Sequence, residues 1–465
     1  QRANGIMFDQ GSGVGMRDSW TLRVLSEAGA VCLDGSPAAF YHKAGDPRRF
    51  HIFLEGGGWC YSTADCIHRQ TTPLGSTKRL RRHVSMLQQI GGLGDRCSAA
   101  EFGSLCTFTQ VYVHYCDGSS FAGGVDEPVG MPGTLQLGQH EASLSVRFAG
   151  RKILQAAVRA LLPLGLANAT DVLLSGCSAG GLAAMLGSKE VHRIIHSEAH
   201  ATLRRFKVAI FSGLFYGLLP GPHQSGRPSF SPFAEQMSSI ATLSRMEVPS
   251  TCAAGGWKTH RCLLGTAALE HVNFPVFIEQ STLDSWASGC VLAAGESRFY
   301  KLNCSSRGWD QCTMSLQSGD RKFGPPSLGP RCSPNQLAQL RGWQQSFSAA
   351  LEASAALARD GSGSFVHACH SHCVGPSGWG RRLGAVSLAQ ALRQWWESDN
   401  EPARMHTHRS SCLPSWTAGG AACEVSDVCP GKQGSAQAPR HGQELSSVML
   451  KLEQVLGTKE GRAEL

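Results

Sequence analysis

The 465-residue chain has no uninterrupted apolar run near the roughly 18 residues that a membrane-spanning helix requires, so a membrane span is not expected. It has no internal repeat, which excludes solenoid and propeller arrays. Charge is modest: 17% of residues are Asp, Glu, Lys or Arg, and the net charge is +8. The Lys and Arg residues are scattered, so no face is built for nucleic acid. The exception is "KRLRRH" at Lys78–His83, which reads first as a solvated face. A mildly positive surface would also favour an acidic polysaccharide. No signal peptide is visible. The chain begins at Gln1 rather than Met, which fits removal of a leader.

What is abundant is cysteine. There are eighteen, with mostly irregular spacing from Cys32 to Cys429. That spread fits disulfides in an oxidising compartment better than a metal cluster. Two glycosylation sequons, at Asn168 and Asn303, also agree with secretion. A hydrophobic fraction of 42% is that of a globular chain.

Short apolar runs alternate with longer helical patterns, the signature of an α/β sheet protein. Strands are expected in "RRFHIFL", "FTQVYVHYC", "TDVLLSG", "FPVFIEQ" and "GSFVHAC". Helices are expected in "SVRFAGRKILQAAVRALLPLG", ending at Pro163 and Gly165, and in "AGGLAAMLGSKEVHRIIHS", "NQLAQLRGWQQSFSAALEASAALA" and "VSLAQALRQWWES". Between Gly217 and Gly265 the pattern is weak and reads as irregular cap or loop. One catalytic domain is expected over residues 1–429, followed by a polar tail over 430–465 with one short helical pattern, "ELSSVMLKLEQVLG".

The chemistry centres on "DVLLSGCSAGGLAAML", Asp171–Leu186. A strand, then G-x-S-x-G, then a helix is the setting of a nucleophile elbow. The turn at Ser178 is sharp, and side chains at Gly176 and Gly180 would collide. Ser178 is thereby exposed at a helix start, where the Ala179 N–H can stabilise an oxyanion. Serine is a weak nucleophile without a base, and the fold's chain order is Ser, Asp or Glu, then His. Asp284 follows the strand "FPVFIEQ". His370 and His372 follow "GSFVHAC". A histidine can take the serine proton and return it to the leaving alcohol, while Asp284 fixes its tautomer. "LEGGGWC", Leu54–Cys60, is a glycine-rich loop of the kind that supplies a second oxyanion donor, here Gly57 or Gly58. Trp59 and Trp286 flank these loops and are candidates for lining the substrate pocket. "HACHSHC", His367–Cys373, could be read as a zinc site. The histidine and cysteines have competing roles, so no metal and no cofactor is expected. Cys177, beside the nucleophile, reads as a buried small residue rather than a reactive thiol.

With these motifs assembled, the chain resembles the pectin acetylesterase family, which also contains the Notum carboxylesterases. The resemblance rests on "AVCLDGSP", "LEGGGWC", "PLGSTK", "YCDGSSF", "LSGCSAGGLAA", "LDSW" and "SHC", in that order, and is closer to the plant-type members. It implies an α/β-hydrolase-like fold, a mostly parallel sheet flanked by helices, disulfides, secretion to the exterior or cell wall, and a Ser178–Asp284–His372 triad. The histidine before the cysteine is the one the family motif marks, which selects His372 over His370. Phe211 and Ser212 depart from the family's acidic-small pair, and Ala287 and Val374 stand where glutamines are common. The implied activity is removal of O-acetyl groups from a pectin-like polysaccharide by a monomeric serine esterase. The alternatives are a Notum-like hydrolase of lipid esters and an inactive hydrolase fold that only binds.

Overall fold

The computed structural model describes residues 19–87, 89–90, 93–94, 97–137, 139–199, 203–217, 232–254, 259–292, 332–369, 371–399, 401–410 and 427–428. His370, the Asn303 sequon and the expected C-terminal tail and helix lie outside these residues.

Runs such as "VFIEQS" and "DVLLSGC" are buried along their whole length, as strands covered on both faces must be. In chain order the strands of the main sheet are β1 (Trp20–Val24), β2 (Ala39–Lys43), β3 (Asp46–Leu54), β4 (His83–Val84) and β5 (Phe108–Val113). A separate hairpin, β6 (Val129–Leu137) and β7 (His140–Val146), intervenes. The sheet resumes with β8 (Asp171–Cys177), β9 (Arg205–Phe211), β10 (Val276–Ser281), β11 (Gly363–His367) and a final strand, Thr407–Arg409. From that final strand the order is β11-β10-β9-β8-β3-β5-β2-β1-β4. Pairing is parallel from the final strand through β5, and antiparallel among β5, β2, β1 and β4. The expected mostly parallel sheet is therefore present.

Period-two alternation divides the core. Ile52, Leu54, Val172, Leu174, Val208, Ile210 and Ile278 join one cluster, with residues of the helices Gly150–Leu161, Ala179–Ala199 and Pro334–Glu352. Phe53, Leu173, Ala209, Phe211, Phe277 and Phe365 face the other side, against Trp395 and Trp396 of the helix Leu388–Glu397. The two later helices begin with reciprocal capping boxes, Ser333 with Gln336 and Ser387 with Gln390.

Several elements lie outside the sequence expectation, and two of them have a plain physical reason. Strand β9 lies between β8 and β10, although Lys207 interrupts its apolar run. The lysine is 3% exposed, and its ammonium donates to the carbonyls of Trp395 (2.7 Å) and Ser398 (2.6 Å). It thus caps the C-terminal end of the helix Leu388–Glu397 and also sits over the Trp395 ring. The supposedly irregular stretch after Gly217 contains the helix Pro232–Leu243. Its Phe233, Met237 and Ile240 follow an i, i+4, i+7 pattern and are fully buried, but serines between them mask the period.

Replacing Lys207 with Met would leave those carbonyls without their charged donor. A stability loss of about 2–3 kcal/mol is expected, measured by urea unfolding, because hydrogen bonds to charged groups contribute at the upper end. A change under about 0.5 kcal/mol would show that the cap contributes little.

Candidate active site

The candidate residues sit at the C-terminal ends of neighbouring strands, where sites form in open α/β sheets. Ser178 follows β8, Asp284 follows β10 and His372 follows β11. Ser178 has φ of 59°, a left-handed conformation rare for a non-glycine residue. Its N–H donates to Phe211 O at 3.0 Å. The flanking glycines are needed for close approach. A Cβ on Gly176 would lie 2.2 Å from Gly180 O, and one on Gly180 would lie 2.0 Å from Leu54 O. The collision at Gly180 is therefore with the end of β3 rather than with its partner glycine.

His372 Nε2 lies 2.8 Å from Ser178 Oγ, and His372 Nδ1 lies 2.8 Å from Asp284 Oδ2. Asp284 is 3% exposed, and its other oxygen accepts from the N–H groups of Trp286 and Ala287, both at 2.9 Å. The carboxylate is thus fixed from behind by the short helix it caps. Burial disfavours the imidazolium of His372, but the Asp284 carboxylate outweighs this and holds its pKa above the ordinary histidine value.

The glycine-rich loop is pressed against the elbow: a Cβ on Gly56 would meet Cys177 O at 2.1 Å and Ser178 Cβ at 2.9 Å. The Gly56 amide is engaged by the Gln89 side chain in both directions. Arg69 and the Tyr115 hydroxyl hold the carbonyls of Gly57 and Gly58, and Gly58 has φ of 65°. No acceptor among the described residues engages the N–H of Gly57 or Gly58. The Ala179 N–H begins a helix, where amides lack an intrahelical acceptor.

Trp59, 5% exposed, donates to Ser120 Oγ and packs edge-on to Phe215 at 4.7 Å. Trp286 packs against Phe215 and Phe233 and lies over the His372 ring at 6.1 Å. Phe215 and Phe233 were not among the sequence candidates. Phe233 falls in the stretch that reads as irregular, and Phe215 lies just before it.

Cys177 is buried as expected, but it is not a lone small residue: it forms a disulfide with Cys373. The residue before Ser178 is bonded to the residue after His372. The sequence signal was the placement of both cysteines directly beside catalytic candidates. Cys373 has φ of 59°, and its N–H donates to Ser212 Oγ at 3.0 Å. The Ser212 hydroxyl donates to Glu279 Oε2. Glu279, 1% exposed, also accepts from Arg381 Nη1 at 2.7 Å and His367 Nε2 at 2.9 Å. Burial pushes its pKa up, but His367 and Arg381 outweigh that and keep it low. Arg381 also reaches Ser371 Oγ at 2.9 Å, on the loop that carries His372. The signal for Glu279 was a charge inside an otherwise apolar strand. His367 of the supposed zinc motif belongs to this network. Cys369 is disulfide-bonded. Four further disulfides join other segments: Cys32–Cys116, Cys60–Cys66, Cys97–Cys106 and Cys252–Cys262.

Replacing Cys177 and Cys373 together with alanine is expected to lower turnover by up to about 10²-fold, the effect of an ångström-scale misplacement of a reacting group. Stability should fall by about 2–5 kcal/mol. Steady-state kinetics and urea unfolding test both. Unchanged turnover would show that the hydrogen bonds alone position His372.

A family model described as Pectinacetylesterase matches residues 16–415. Pectin acetylesterase 7 of Arabidopsis thaliana is 27% identical over 398 residues, covering 83% of this chain and 89% of that protein. Pectin acetylesterase 11 of the same plant is 25% identical over 396 residues, with the same coverage of both. The human palmitoleoyl-protein carboxylesterase NOTUM is 29% identical over 178 residues, 38% of this chain and 32% of that one. Among solved structures, the Wnt deacylase Notum from Drosophila superimposes with a TM-score of 0.59 at 20% identity, covering 81% of this chain and 93% of that one. That likeness concerns the α/β-hydrolase fold. The plant relatives align over about twice the length that human NOTUM does, and the family model takes in all three residues of the hydrogen-bonded chain. The chain belongs to the pectinacetylesterase family.

Proposed function

We propose that the protein is a secreted serine carboxylester hydrolase that removes acetyl groups from a pectin-like polysaccharide. The observation that carries this reading is the continuous chain from Ser178 Oγ through the His372 ring to Asp284, with both contacts at 2.8 Å. The relatives' names supply the acetyl ester and the polymer. The disulfides and the exposed Asn168 sequon support an extracellular setting.

Each step follows from the groups present. Ser178 Oγ attacks the ester carbonyl while His372 Nε2 takes its proton. Asp284 stabilises the resulting imidazolium without taking the proton itself. The N–H groups of Gly57, Gly58 and Ala179 receive the oxyanion. His372 then protonates the departing sugar hydroxyl, leaving an acetyl group on Ser178. Water, deprotonated by His372, releases acetate and restores the serine. No cofactor enters these steps. Trp59, Phe215, Phe233 and Trp286 crowd the side of the site next to His372, which favours a short acyl group. The catalytic unit is one domain extending to about Cys429, acting as a monomer.

Hydrolysis of p-nitrophenyl esters from acetyl to palmitoyl tests the reading. Activity should be confined to short chains, and Ser178→Ala should abolish it by at least about 10⁴-fold. A preference for long chains would move the assignment to lipid esters. No turnover by folded protein would leave a binding protein.

The pH profile gives a second test. Only neutral His372 can accept the serine proton, so kcat/KM falls as pH falls through its pKa. Because Asp284 holds that pKa up, the acid limb should lie above the ordinary value of about 6.5. Asp284→Asn removes the partner of the imidazolium and should move the limb to lower pH, with a rate loss of about 10⁴-fold. An unmoved limb in that variant would assign the ionisation to another group.

A further inference from the structure

A second concavity, of about 390 Å³, lies between the segment Gln70–Arg79 and the hairpin of β6 and β7, and contains none of the triad residues. Its walls are polar. Thr71, Thr72 and Ser76 stand on one side, and Thr134, His140 and Ser143 on the other. Gln70 lines it and is 5% exposed. Its amide nitrogen is held by the carbonyls of Ser145 (2.6 Å) and Ser143 (3.4 Å), which fixes the amide orientation. Its Oε1 is buried with no hydrogen-bond partner among the described residues. A buried acceptor without a donor is unfavourable, and a hydroxyl-bearing occupant would relieve it.

The charges around the concavity are unequal in availability. Asp34 accepts from the Ser36 hydroxyl and from Ser76 Oγ, and lies 3.1 Å from Lys78 Nζ, so its charge is committed within the protein. Arg79 reaches across to the His140 ring on the hairpin. Arg81 and Arg82 continue the exposed basic run beside it. Glu141 is the one lining carboxylate that opposes them. Hydroxyls, an amide and exposed cations, with no aromatic ring apart from His140, match a hydroxyl-rich anion. Arg69 donates to both Gly57 O and Leu74 O, at 2.9 Å each, which joins this wall to the oxyanion loop.

We propose that this concavity is a subsite for an anionic sugar, a hexuronate unit of the polymer, whose carboxylate is received by Arg79. It rests on the polysaccharide esterase reading above and deepens it: the site would hold the chain while an ester at another position reaches Ser178.

The test is calorimetric titration of unesterified oligogalacturonide into the Ser178→Ala protein, alone and with Arg79→Ala or Thr134→Trp added. Arg79 and Thr134 are both exposed, so neither change disturbs the core. Each is expected to weaken binding roughly tenfold, the loss of one charge-assisted hydrogen bond or of the space itself. Binding should also weaken with added salt and exceed that of a neutral xylo-oligosaccharide of the same length. Equal affinity in all three proteins, or equal affinity for the neutral sugar, would overturn the proposal. Ester hydrolysis by the unaltered protein is measured in parallel. Its absence would refute the esterase reading, while a binding loss in the two variants would still stand for the subsite.

Discussion

A covalent bond between Cys177 and Cys373 ties together the two loops that carry Ser178 and His372. Ser178 and His372 are 194 residues apart and come from loops after β8 and β11, with β9 and β10 between those strands. Two loops at that distance would drift relative to each other by more than a proton transfer allows. The disulfide removes that freedom directly beside the reacting atoms. It also explains why Cys373 adopts a left-handed conformation: the loop must turn sharply for the cysteine to point inward while His372 points to Ser178. Backbone strain at Ser178 and Cys373 persists because the surrounding contacts over-determine both turns.

Beneath the disulfide lies Glu279. An isolated carboxylate at that depth would be strongly disfavoured. Arg381, His367 and Ser212 make it tolerable, and each is linked in turn to the loop that carries the base. The Ser212 hydroxyl bridges Glu279 to the Cys373 N–H and so adds a link to the network. Its neighbour Phe211 packs on Trp379 within the core. Elsewhere His51, fully buried between Gln110 and Ser175, has its pKa pushed down to about 4 by burial and is a neutral structural imidazole. Depth alone therefore does not mark a functional histidine. The carboxylate behind His372 separates it from His51.

Much of this was legible in the sequence because local and global signals agreed. "DVLLSGCSAGGLAAML" is at once a buried strand, a glycine-hinged turn and a helix, and each level points to the same elbow. The two capped helices and the five expected strands had similarly consistent patterns. Part of what could not be read depended on contacts distant in sequence. Strand β9 contains Lys207, whose charge is acceptable only because a helix end nearly 190 residues later offers carbonyls. Glu279 needs Arg381. Cysteine pairing has no local code, so the role of Cys177 could not be found without knowing where Cys373 lies.

The shape of the site also divides the work of specificity. In the proposed reaction the acyl group meets the interlocked aromatic rings beside His372, and an acetyl group offers them little more than one methyl. Burying a methyl-sized group contributes about 0.8 kcal/mol, too little to distinguish one acetate ester from another. In that reaction selectivity comes from the alcohol side, on which the proposal places the polymer. Polar groups there can reject a wrong partner far more strongly than an apolar pocket can, because a mismatch strands a buried donor or acceptor. The oxyanion loop sits between these two regions. Gly56 is packed on Ser178, while Arg69 ties Gly57 to the wall of the polar concavity. An enzyme with a small acyl group and a long, hydroxyl-rich leaving group has reason to connect its oxyanion donors to the surface that holds the leaving chain.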